Sequence, residues 1–96
     1  MNKSNFEEIE NLHSQWSLLD KLGKLGFLKN QWNRLNALAN ELALYSIHNG
    51  GLTASEKNYA RQLLDIIGSV ESQAAELNRD ISNDIRKEIT KAIMGH

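Results

Sequence analysis

The sequence predicts an all-α protein, an antiparallel helical hairpin elaborated into a bundle of three to four helices. Three observations predict it. The 96 residues contain no proline, so no residue of that kind breaks a helix. On either side of the midpoint, apolar residues recur at every third or fourth position, the repeat of one helical face. At the midpoint stands His48-Asn49-Gly50-Gly51, where glycine supplies the backbone freedom to reverse the chain. One domain over residues 1–96 is expected, with helices at about 5–22, 27–47, 54–81 and 83–94.

Ser4-Asn5-Phe6-Glu7 fits the capping box, in which the two polar side chains satisfy each other's free backbone N–H, so the first helix is expected to start there. Phe6, Ile9, His13, Trp16 and Leu19 share one face of it, Leu22 closes it and Gly23 ends it. Lys21-Leu22-Gly23-Lys24-Leu25-Gly26-Phe27 then reads as a connection with two glycines, more apolar than a surface loop needs. The second helix has a seam of Leu28, Trp32, Leu35, Ala39 and Leu42. Its last turns, Leu42-Ala43-Leu44-Tyr45-Ser46-Ile47, are apolar on more than one face and are expected to be deeply covered or to meet a partner.

Thr53-Ala54-Ser55-Glu56 is a second capping box and opens the third helix. From there Ala60, Leu63, Ile67, Val70, Ala74, Leu77 and Ile81 alternate spacings of three and four, the heptad pattern of helices packed at a shallow angle. Gly68 interrupts the composition but not the phase, so the helix is expected to run through it. Beyond Ile81 the spacing changes to fours, through Ile85 and Ile89. Ser82 or Asn83 can restart a short fourth helix over 83–94, which Gly95 ends.

Composition excludes several functions. The chain has no cysteine, hence no disulfide scaffold, thiolate zinc site or cysteine nucleophile. His13, His48 and His96 form no H-x-x-x-H or E-x-x-H pair that would set two metal ligands on one helical face. The glycines lack the spacing and the preceding strand of a phosphate-binding loop, and the serines stand mostly at helix starts, where capping accounts for them. A non-enzymatic protein without cofactor or metal is expected. The start of the chain has no apolar run of a signal peptide, and no stretch reaches the roughly 18 apolar residues of a membrane span, so a cytoplasmic protein is expected. The net charge of −1 offers no overall basic surface for nucleic acid.

What remains is surface for another protein. Leu22, Leu25 and Phe27 supply candidate apolar anchors, and Lys29, Asn33, Asn36 and Asn40 form a polar strip beside the seam of the second helix. Asparagine weakens a helix unless it hydrogen-bonds to something, which makes three on one strip notable. The expected function is a small interaction module that binds and modulates a protein partner, as inhibitor or adaptor, in the manner of phage- or plasmid-type proteins that disarm a host machine. A homodimer is admitted by the heptads and the apolar helix end. The alternative is a DNA-binding regulator. Leu52-Thr53-x-x-Glu56, Leu63-Leu64, Ala74-Ala75-x-Leu77 and Ile81-Ser82 resemble the helix-turn-helix segment of response-regulator transcription factors over residues 52–93. That resemblance implies DNA contacts from Arg86 and Lys87. The sequence departs from the family pattern at Glu76, Arg79, Asp80 and Ile85.

Overall fold

The computed structural model describes residues 2–68 and 83–94. They form four helices and no strand: α1 (Lys3–Ser17), α2 (Lys21–His48), α3 (Ala54–Gly68) and α4 (Asn83–Met94). Side-chain contacts fix the directions. Asn5 reaches Glu41, Glu8 reaches Arg34, and Lys24 lies over Trp16, so α1 and α2 are antiparallel. Phe6 meets Tyr59 and His13 meets Asp65, so α3 runs alongside α1 in the same sense. Arg86 at the start of α4 lies by Ile67 at the end of α3, while Lys91 and Ala92 reach the end of α2. The bundle therefore runs up, down, up and down, with the heaviest packing between α2 and α4 and between α1 and α3.

The seam of α2 is buried as its spacing predicts. Leu28, Trp32, Leu35, Ala39 and Leu42 all lie in the core, joined by Leu38, Ala43 and the polar Ser46. Ala60, Leu63 and Ile67 of α3 and Ile89 of α4 also lie in it, with Leu52, Ile66 and Ala92. Thr53 and Glu56 form the expected capping box: the Thr53 N–H donates to Glu56 Oε1 at 2.8 Å, and the Glu56 N–H to Thr53 Oγ1 at 3.2 Å. The fourth helix occupies 83–94. The stretch expected to continue α3 from Ser69 through Val70, Ala74, Leu77 and Ile81 lies outside the described residues.

Two sequence expectations are corrected. First, α1 starts at Lys3 rather than at residue 5, because Asn2 and Asn5 form the reciprocal cap instead of Ser4 and Glu7. Asn5 N–H donates to Asn2 Oδ1 at 3.2 Å, and Asn2 N–H to Asn5 Oδ1 at 3.3 Å. The buried face of α1 is Phe6, Ile9 and Leu12; His13 and Trp16 are half-buried at its edge and Leu19 is exposed. Second, residues 21–27 are no loop. Asp20 caps α2 by accepting the Gly23 N–H at 2.8 Å, and the helix runs through both glycines. α1 consequently ends at Ser17, not at 22, and Leu18-Leu19-Asp20 alone joins the two helices.

The two glycines have different reasons. A Cβ on Gly23 would stand 3.0 Å from Asp20 Oδ1 and 3.2 Å from Leu19 Cβ, so the capping carboxylate needs the space. A Cβ on Gly26 would meet nothing within 4 Å. Gly26→Ala is therefore expected to stabilise the protein by about 0.5–1 kcal/mol through helix propensity, read as a higher urea midpoint with an unchanged slope. At the other end of α2, Gly50 and Gly51 take φ of 69° and 125°, values that side chains disfavour. The Gly51 N–H returns to the Ser46 carbonyl at 2.9 Å, satisfying a carbonyl of the last turn.

One ion pair ties α1 to α2. Arg34 grips Glu8 with two parallel donors, Nε to Oε2 at 2.6 Å and Nη2 to Oε1 at 2.5 Å, and this holds the Glu8 carboxyl below its usual range. Both side chains are more than a third exposed, so after solvent screening the pair contributes only about 0.5 kcal/mol. It fixes the register of the two helices more than it stabilises them.

Candidate interaction surface

Once residues 21–27 are helical, the two candidate features become one. At about 100° per residue, Leu22, Leu25, Lys29, Asn33, Asn36 and Asn40 fall on a single stripe of α2, within a sector of roughly 100°. Leu22 (79% exposed), Lys29 and Asn33 are exposed; Leu25 and Asn36, at its margin, and Asn40, in line with Leu22, are half-buried. Phe27 is not among them. It lies roughly 140° round the helix from Leu22 and packs against the core.

The same stripe continues beyond the residues the sequence pointed to. Leu44 and Ile47 lie on it, 56% and 57% exposed. Their signal was the apolar last turns of α2, but spacing alone did not connect them to Leu22. The remaining exposed large apolar side chains among the described residues are Leu18 and Leu19, next to Leu22, and Met94 at the end of α4. All of this apolar surface therefore lies near one end of α2 or the other.

The middle of the stripe is polar without being acidic. The exposed positions of α2 carry Lys21, Lys29 and His48 and no carboxylate. Asn40 Nδ2 donates to the Asn36 carbonyl at 3.0 Å and approaches Asn36 Oδ1 at 3.4 Å. That local bond holds the two asparagine side chains together on the strip.

The other candidate groups are placed less favourably. Arg86 is half-buried, donating to the Ile67 carbonyl at 3.5 Å, and its Nε is buried without a partner, so the guanidinium turns toward the bundle. Lys87 is exposed. The Ala74–Leu77 and Ile81-Ser82 parts of the helix-turn-helix resemblance lie outside the described residues. A cleft of about 350 Å³ opens between the end of α2, Gly50-Gly51 and α4, with Glu88 and Lys91 as its charged walls. No three metal-binding side chains cluster among the described residues, and no described helix is long and apolar enough to cross a membrane. No protein-family model, curated protein or solved structure matches the chain.

Proposed function

We propose that this protein is a small non-enzymatic interaction module that binds a protein partner through the outer face of α2 and modulates it by occupying a surface. The observation that carries this reading is the composition of that face. A solvated helix face is ordinarily rich in both signs of charge, whereas this one presents leucine and isoleucine at its ends, asparagine and lysine between them, and no exposed carboxylate. Interface centres show the same depletion of acids. Leu22, Leu44 and Ile47 serve as anchors, and Asn33 and Lys29 set the register. Such a module acts as an inhibitor or adaptor inside the cell.

The test is affinity capture from a lysate of the source organism in the presence of nuclease. The wild-type chain is expected to retain a protein in stoichiometric amount. A Leu22→Asp, Leu44→Asp double variant is expected to retain at least tenfold less while its helical circular dichroism is unchanged, since both side chains already face water. Equal retention by the variant would remove α2 as the binding face. Retention that disappears with nuclease would instead favour nucleic-acid binding.

A further inference from the structure

We infer that the outer face of α2 pairs with the same face of a second copy, antiparallel, about a two-fold axis that passes between Arg34 and Leu35. The inference rests on the reading that this face binds protein, and it names one occupant. The stripe is its own complement. Its spacings, from Leu22 through Leu25, Lys29, Asn33, Asn36, Asn40 and Leu44 to Ile47, run three, four, four, three, four, four, three. That series is the same in both directions. Laid antiparallel on a second copy, Leu22 faces Ile47, Leu25 faces Leu44, Lys29 faces Asn40, and Asn33 faces Asn36, the position numbers of each pair adding to the same total. Apolar meets apolar at both ends, and amide meets amide or ammonium in the middle.

The spacing and the charges of the stripe suit that pairing. The spacing is an 11-residue repeat, about 3.67 residues per turn, close to the 3.6 of a straight helix, so the stripe keeps to one side of α2 with a slow right-handed drift. No like charges collide. Lys29 is the only charge in the stripe, and the two copies of it stand roughly 16 Å apart along the axis at 1.5 Å per residue, beyond the screening length of about 8 Å at physiological salt. Antiparallel pairing brings the Leu22 end of one stripe to the Leu44-Ile47 end of the other, so apolar meets apolar twice in the pair. Such closure is what an isologous interface requires. A single helix face a side is smaller than the roughly 20–30 residues of a standard interface, so the dimer is a weak one that a tighter partner displaces.

Sedimentation equilibrium of the full chain, from about 1 to 300 µM, spans the range in which such an association is visible. The apparent mass is expected to rise from 10.9 kDa toward twice that value. Leu22→Lys and Ile47→Glu are each expected to hold the chain near the monomer mass, with unchanged circular dichroism. Mixed one to one, they are expected to recover dimer to at least the wild-type extent, because the introduced lysine and glutamate face each other at one end while Leu22 and Ile47 meet at the other. A wild-type chain that stays monomeric to the top of the range overturns the inference. So does a dimer indifferent to Leu22→Lys, or a mixture that stays monomeric. Monomeric wild type together with partner capture that needs Leu22 would overturn the second copy and leave the binding face standing. A dimer with the predicted mixing behaviour, but no captured partner, would support the second copy and overturn the separate partner.

Discussion

Leu35→Ala is expected to lower the unfolding free energy by about 3–5 kcal/mol, read from urea titration at neutral pH. Leu35 is fully buried, between Trp32 and Leu38 on the face of α2 that meets all three other helices. Truncation removes the transfer free energy of its lost carbons and leaves a cavity that helices packed on every side fill poorly. A chain of 96 residues holds roughly 5–14 kcal/mol in total, at about 0.05–0.15 kcal/mol per residue. The loss is therefore about a fifth of the stability or more. Asn33→Ala, two residues away on the exposed face, is expected to change stability by less than about 0.5 kcal/mol. A loss below about 1.5 kcal/mol at Leu35 would show that the α2 seam is not the centre of the core.

The seam of α2 and the cap of α3 were legible in the sequence because both are local patterns that burial reinforces. Leu28, Trp32, Leu35, Ala39 and Leu42 repeat without a competing signal, and Thr53 and Glu56 stand at the right offset beside a glycine pair. The start of α2 was not legible. Gly23 and Gly26 are strong turn signals, and they masked Asp20, whose carboxylate caps the helix across Gly23. Tertiary burial of Leu28 and the packing of Phe27 make helix the favourable state there despite a cost of about 1 kcal/mol for each interior glycine. The same two glycines obscure the candidate surface. If residues 21–27 were a loop, Leu22 and Asn33 would have no fixed relation, and Phe27 would group with Leu25. As helix, the angle per residue joins Leu22 to Asn40 and separates Phe27 from both. Leu44 and Ile47 join the stripe only when the opposite side of α2 is known to be buried. A run apolar on several faces does not say which face remains open.

Glu56→Ala is expected to cost about 1 kcal/mol and to remove the Glu56 share of the protein's acid sensitivity. Glu56 joins two groups: its carboxylate accepts the Thr53 N–H at 2.8 Å and the Tyr45 hydroxyl at 2.6 Å, so one side chain both caps α3 and ties it to α2. The cost is the lost reciprocal half of the capping box, with the Thr53 N–H and the Tyr45 hydroxyl left to water. Burial pushes the Glu56 carboxyl up, but the Thr53 N–H, the Tyr45 hydroxyl and the Thr53 side chain together outweigh it and hold the group below its ordinary 4.5. Glu8 is lowered too, chiefly by its hydrogen bonds to Arg34, with burial opposing. A carboxyl lowered on folding contributes stability that is fully present above its unfolded value and is lost as pH falls through the folded one. The wild-type chain is therefore expected to lose stability below about pH 4.5 as both groups take up protons. Glu56→Ala should show a shallower decline, leaving the Glu8 share, and Glu56→Gln should keep part of the cap while losing the same pH dependence. Urea midpoints measured between pH 7 and pH 3 separate these outcomes. A Glu56→Ala profile parallel to wild type through that range would mean that the Tyr45–Glu56–Thr53 bonds do not hold the α2–α3 junction.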